Sequence, residues 1–404
     1  MAEWLVSCGI DTVAMQSTGV YWIPLYDILE QHGLRVVLVN ARHTQNVPGR
    51  KTDVQECQWL MKLHTYGLLR DSFRLALNME GVRTVWRVRG RHVEEAARSV
   101  QHMQKALTKM NVQLANVISD ISGLTGQAIV GAILQGERDP YKLAELSDPH
   151  IQASQEEIAR SLEGTWREDV LFELQQAVDG YQFAHRQIRQ CDDKLRVYLA
   201  SLESRVLEKP AVPAGTKPLQ PKTRKARQQG ANAPPMDLTE ELVRICGADL
   251  TSIDGINIIS ALTIVSEVGT DLRQFPDEDH FTSWLGVDGQ PKHQRREACQ
   301  RSETEGEEPG GRCIAHGASL LNSDSYLGAR YRQLRRNAKI PAVAVKAMAR
   351  YLAVLVYRLL TKGQAWVDRG AELFEQQRRE RDLMILQEKA KRHGLQLVPI
   401  AAAN

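Results

Sequence analysis

No stretch of the 404-residue sequence approaches the ~20 consecutive apolar residues that a bilayer-spanning helix needs. Its start, Met-Ala-Glu-Trp, has no basic region leading into an apolar run, so no export signal is expected. A cytoplasmic protein with no membrane partner is the expectation. The six cysteines (Cys8, Cys57, Cys191, Cys246, Cys299 and Cys313) are scattered, with no Cys-x-x-Cys pair and no compact Cys/His cluster. That excludes a zinc site or a disulfide framework as organising principle, and the thiols are expected to be reduced and mostly buried. Charge of one sign is scarce too: the net charge is +3, too mild to argue for nucleic-acid binding, which must then rest on local patches. What the sequence does have is ordinary globular material, 43% hydrophobic and 25% charged, long enough for two or three domains.

The pattern along the chain opens with strand, helix, strand. Val13-Ala14-Met15 is short and apolar, Ile23 to His32 has helical spacing, Gly33 stops it, and Val36-Val37-Leu38-Val39 is a continuous apolar run. That is a βαβ unit of a parallel sheet. After Pro48 and Gly49, Thr52-Asp53-Val54-Gln55 forms a capping box that starts a helix running to about Tyr66. From about Arg83 to Leu207 apolar residues recur at three and four (Leu107, Met110, Leu114, Val117, Ile121), which predicts long paired helices. Residues 210–235 concentrate Pro, Gly, Lys and Arg without period and read as a linker. Its Lys217, Lys222, Arg224, Lys225 and Arg227 could touch phosphate or simply be solvated. From about Glu241 a compact region returns, in which residues 250–269 read either as a helix-hairpin-helix around Gly255 or as a plain helical hairpin. Helices at about 341–362 and 365–393 close the chain.

Three N-terminal blocks, Val-Ala-Met-Gln-Ser-Thr-Gly-Val-Tyr-Trp (13–22), Val-Val-Leu-Val-Asn-Ala-Arg-His (36–43) and Pro-Gly-Arg-Lys-Thr-Asp-Val-Gln-Glu-Cys-Gln-Trp-Leu (48–60), closely resemble the N-terminal domain of insertion-sequence 110 family transposases, in the insertion-sequence 1111-like group. Leu-Thr-Ser-Ile-Asp-Gly-Ile (250–256), Phe-Thr-Ser-Trp-Leu-Gly (281–286) and Tyr-Leu-Gly-Ala-Arg-Tyr-Arg (326–332) are similar to that family's C-terminal transposase domain. The resemblance implies an α/β plus mostly α chain. A partial RuvC-like, RNase H-type domain of the DEDD kind is expected over 1–80, a helical coiled-coil region over 81–207 and the linker over 208–238. The C-terminal transposase domain would cover 239–362 and a charged helical tail 363–404. It also implies recombination of an element into target DNA, Mg²⁺ as the ion, several subunits working together, and in some members an element-encoded guide RNA.

The family's Asp-x-x-Asp/Glu motif falls on Asp53 and Glu56, three apart in the first turn of a helix, so both carboxylates lie on one face and could share a metal. Acidic residues there also complement a helix dipole, which is the plain structural alternative. The family's strand glutamate corresponds to Gln16, whose amide oxygen can coordinate Mg²⁺ without adding charge. Asp11 does not match the family's first aspartate, because only five residues separate it from Gln16 and the intervening hairpin has no room. The expectation is that the chain begins inside the domain.

Between Val287 and Arg312 the pattern of a folded segment disappears: only Val287, Ala298 and Cys299 are aliphatic or thiol. The family places there an Ile-Ser-Gly-Gly-Lys motif holding the nucleophilic serine, and nothing matches it. Yet His293-Gln294-Arg295-Arg296-Glu297 can be coded CAT CAG CGG CGG GAA, which read one nucleotide on gives Ile-Ser-Gly-Gly-Lys, since Ala298 supplies the next G. Permitted codons continue this as a basic segment up to Gly317, after which family-like sequence resumes in the given frame. A frameshifted segment over 287–317 is therefore expected, and Glu303, Glu305, Glu307 and Glu308 would repel phosphate where the other frame places Lys and Arg. Ser302, Ser319 and Ser323 lack the flanking glycines that let a backbone approach phosphate. The reading is a transposase by descent, inactive in this copy. The alternatives are a nucleic-acid-binding remnant or a Holliday-junction-type nuclease using Asp53 and Glu56 alone.

Overall fold

Two short apolar runs, each bounded by polar or turn residues, build the sheet of the N-terminal unit. In the computed structural model, which describes residues 1–17, 19–40, 52–69, 71–205, 233–287, 313–315, 324–363 and 370–396, the chain divides into two units, Met1–Leu75 and Ala76–Asn404. In the first, helix α1 (Ala2–Ser7) precedes strand β1 (Thr12–Gln16), helix α2 (Trp22–Gln31), strand β2 (Arg35–Val39) and helix α3 (Asp53–Thr65). The strands pair in parallel from Thr12 with Arg35 to Gln16 with Val39. Gly33, at φ +78°, makes the turn out of α2 that the sequence pattern requires.

The sheet is covered on both faces. Met15, Val36 and Leu38 pack with Ala2, Leu29 and Leu34 on the side of α1 and α2, while Val37 and Val39 pack with Leu60 of α3 on the other. This two-sided burial is why β2 is apolar at every position from Val36 to Val39. Beyond β2, Asp71 Oδ1 accepts from Leu38 N at 2.9 Å, and Ser72 N donates to the Leu38 carbonyl at 2.6 Å. Arg74 then ties the segment to α2 through Asp27 at 2.5 Å and Glu30 at 3.2 Å, over the Tyr26 ring. A parallel βαβ unit of the partial RuvC-like kind is thus present, with α1 as an element that the residue pattern did not announce.

The second unit is mostly helical. Its frame is an antiparallel hairpin of helix α4 (Leu77–Lys109) and helix α8 (Glu168–Ser201), whose register shows in three cross-contacts. A Cβ at Gly81 would lie 3.1 Å from the Tyr198 ring, Arg89 pairs with Asp192, and Lys109 pairs with Glu173 at 2.6 Å. The periodic stripe Leu107 to Ile121 is not one helix. Asn111 takes φ +62° and Val112 N donates back to the Leu107 carbonyl at 2.9 Å, a Schellman stop built on asparagine. Even so, Leu107, Met110, Leu114 and Ile121 all enter one core. That core is closed by helices α5 (Leu124–Leu134), α6 (Pro140–Ala144) and α7 (Gln155–Ser161), the last started by a Ser154/Glu157 capping box.

At the root of the hairpin come helices α9 (Leu238–Cys246), α10 (Ile258–Val268), α11 (Glu278–Trp284), α12 (Tyr326–Asn337), α13 (Pro341–Lys362) and α14 (Gly370–Arg392). A 3-10 turn at Leu250–Ser252, Gly255 at φ +91° and α10 reproduce the expected outline of the 250–269 hairpin. Trp86 Nε1 donates to Thr263 Oγ1 at 3.0 Å, and Arg87 grips the buried Glu267 through two bonds of 2.8 and 2.6 Å. The Phe275, Phe281, Trp284 and Tyr357 rings form an aromatic centre in which Tyr357 donates to the Phe275 carbonyl. Among the described residues no helix is long and apolar enough to cross a membrane. The expectation of mostly buried thiols fails: Cys246 is buried, Cys191 and Cys313 half-buried, but Cys8 and Cys57 are exposed. The basic linker positions and nearly all of segment 287–317 lie outside the described residues, although Val287 and Ile314 are buried.

Candidate functional site

Alternation along β1 decides which way each of its side chains faces. Val13 and Met15 turn toward α1 and α2, so Thr12, Ala14 and Gln16 turn toward α3. Three observations fix how α3 lies on that face. Thr12 Oγ1 is 3.0 Å from His64 Nε2 near the end of α3, Ala14 joins the cluster around Leu60, and Gln16 ends the strand. The helix therefore runs antiparallel to β1. Four helical residues advance about 6 Å, and two strand residues about 6.6 Å, so the steps His64, Leu60, Glu56 and Thr12, Ala14, Gln16 keep pace. Gln16 comes level with the first turn of α3.

That turn is held by its own sequence. Thr52 accepts from Gln55 N, and the Gln55 side chain accepts from Thr52 N at 3.3 Å, the capping box the sequence predicts. Asp53, Glu56 and Leu60 follow at spacings of three and four and so share the sheet-facing side. Leu60 is buried, Glu56 half-buried and Asp53 exposed, a gradient from the sheet's middle to its carboxyl end. Half-buried Gln16 closes β1 at its carboxyl end, and Asp53 and half-buried Glu56 stand in the first turn of the helix that crosses the same face. The pair of Thr12 and His64 was not singled out from the sequence, although the same alternation that places Gln16 also places Thr12.

As a donor set the cluster offers two carboxylates and one neutral carboxamide. Among the described residues no three His, Cys, Asp or Glu side chains are arranged to hold a metal. The positive end of the α3 dipole, which suits the two carboxylates, also works against a cation. A divalent ion is therefore fitted incompletely by what is present. The expected nucleophile region is Val287 to Gly317. Of it, Cys313 donates to the Ser260 carbonyl at 3.8 Å, and burial pushes its thiol above the ordinary range.

Residues 2–112 match a transposase domain model of the DEDD, insertion-sequence 110 type. Residues 247–293 match the transposase IS116/IS110/IS902 family. The first match covers the whole N-terminal unit and α4; the second runs from the end of α9 past α11. No curated protein matches the chain.

Proposed function

Because the chain is a transposase of the insertion-sequence 110 family, we propose that it descends from an enzyme that exchanged strands between element ends and target DNA, and that this copy no longer does so. The observation that carries the second half is the point where the matched C-terminal stretch breaks off. The match to the C-terminal family stops at His293, the first of the residues that permitted codons, read one nucleotide on, can turn into the serine-bearing motif. Without that serine there is no hydroxyl to attack phosphorus and store the bond as a protein–DNA link. Asp53 and Glu56 remain as the acidic part of the older site, with Gln16 where a third carboxylate would supply charge. Mg²⁺ is the ion the reading assigns to intact relatives.

DNA is the partner, with a guide RNA and a homo-oligomer as parts of the same reading, since strand exchange needs several active sites. A Holliday-junction-type nuclease acting through Asp53 and Glu56 alone has less support, because two carboxylates and an amide make a poor two-metal site.

The test is an assay on element-junction DNA with two readouts. Denaturing gels should show no covalent protein–DNA adduct, while native gels should show retention that weakens with salt. Adduct formation, whether or not it survives Ser→Ala changes at Ser302, Ser319, Ser323 and Ser325, would overturn the inactive reading. Sequencing the coding DNA gives a second check: one indel near codons 286–292 and a compensating one near 317–319 are expected. Codons at 293–296 that cannot spell Ile-Ser-Gly-Gly in the shifted frame would sink the explanation.

A further inference from the structure

Charge is distributed unevenly in the second unit. From Tyr326 to Gly363 the sequence holds nine arginines and lysines and no aspartate or glutamate. Since the whole chain is only +3, everything outside this segment is net acidic. The segment is α12, a three-residue turn (Ala338, Lys339, Ile340) and α13.

Some of these cations are used within the fold. Arg350 pairs with Asp279 at 2.8 Å, Arg358 with Glu278 at 2.7 Å, and the Arg330 guanidinium lies 4.0 Å from the centre of the Tyr351 ring. Four are different. Arg335 and Arg336 in the last turn of α12, Lys339 in the turn and Lys346 on α13 have no acidic or hydrogen-bonding side-chain partner among the described residues. Arg335, Arg336 and Lys339 are exposed and Lys346 half-buried. Between them Ile340 and Val343 are 60% and 57% exposed. The first turn of α13 adds to the field: Ile340 and Pro341 supply no side-chain cap, so the positive end of a long helix opens at the same place.

Four cations within twelve residues of sequence, without a counterion among the described residues, repel one another, a cost that a bound polyanion relieves. We propose that the α12–α13 turn is a docking surface for the phosphate backbone of double-stranded DNA. Lys339 stands in the turn and Lys346 five residues beyond Pro341, about 8 Å further along the helix axis, a reach that covers neighbouring phosphates of one strand. The exposed Ile340 and Val343 fit the apolar edges of deoxyribose between them. Nothing in the surface reads bases, so binding is sequence-independent. The choice of DNA among polyanions rests on the transposase reading; the surface itself rests on the charge distribution.

The experiment is fluorescence anisotropy with a labelled DNA duplex over a salt series, using the full chain. Arg335→Gln/Arg336→Gln should weaken binding roughly tenfold near physiological salt and lower the slope of log K against log salt by about 2, with circular dichroism unchanged. Arg335→Lys/Arg336→Lys should keep most of the affinity, because point charge suffices for phosphate. Arg196→Gln, at an exposed arginine of α8, should leave it unchanged. An equal loss with Arg196→Gln would overturn the assignment in favour of a diffuse field. Full binding by the glutamine double variant would overturn the surface while leaving DNA as partner. Absence of duplex binding by the unmodified chain, or displacement of the duplex by tenfold less single-stranded RNA, would overturn DNA as the ligand.

Discussion

Arg89 of α4 and Asp192 of α8 meet at 2.6 Å with side chains only 5% and 4% exposed, and Arg89 also lies 5.3 Å from the centre of the Trp86 ring. A pair this deep in the hairpin is held by mutual neutralisation, since either charge alone would sit in a low dielectric without its counterion. Arg89→Met or Asp192→Leu alone should cost about 3–5 kcal/mol, whereas the double variant should recover most of that loss. Urea unfolding followed by circular dichroism reads all three. Singles that cost under about 1 kcal/mol would show that water reaches the pair.

Gly126 of α5 makes a second, steric case. A Cβ there would fall 2.1 Å from the Ile121 carbonyl oxygen, and the obstacle is backbone, which cannot swing aside. Gly126→Ala is therefore expected to destabilise the second unit by about 1–3 kcal/mol despite the better helix propensity of alanine. Gly131→Ala, on the same helix with nothing within 4 Å, should be neutral or stabilising. Equal melting temperatures for the two variants would contradict this account.

These two sites show what a residue pattern can and cannot carry. The βαβ unit was legible because apolar runs, Gly33 and the Thr52 box are local signals whose meaning does not depend on partners. The stripe from Leu107 to Ile121 announced the right burial and the wrong path, since Asn111 leaves the helix while its neighbours still reach the same core. Asp53 and Glu56 could be put on one face from spacing alone. The direction in which α3 crosses the sheet could not, because it follows from the contact of Thr12 with His64, a tertiary relation fifty-two residues apart in sequence. Exposed Cys8 and Cys57 went against a compositional rule that holds for thiols with room in a core.

His185 supplies the pH-dependent prediction. Its ring lies 4.3 Å from that of Tyr181, and it shares a cleft with Gln127, Arg186 and Arg189. Burial, then the charges of Arg189 and Arg89, hold its imidazole below the usual value of 6.5. Above that value the ring is neutral in both states and the contribution to stability is complete. As pH falls below 6.5 the unfolded chain gains a proton that the folded chain resists, so stability declines. Melting temperatures from pH 7.5 to 5 should fall less steeply for His185→Gln than for the unmodified protein; parallel profiles would refute the assignment.

The remaining prediction concerns the carboxylates themselves. If Gln16 stands level with Glu56 across the α3 face, then Gln16→Glu adds a charge within the existing pair, and three carboxylates crowded together repel until a cation joins them. The variant should bind Mg²⁺ about tenfold more tightly than the unmodified chain in isothermal titration, because affinity for a hard cation rises with ligand charge. Without the ion its melting temperature should drop, and adding Mg²⁺ should restore it by mass action. Glu56→Gln in the same background should abolish both effects, while Asp11→Asn should leave them intact, since Asp11 precedes Thr12 at the opposite end of β1. Unchanged affinity in Gln16→Glu, with the fold intact by circular dichroism, would mean that the helix is offset from the strand and that Asp53 and Glu56 serve only the α3 dipole.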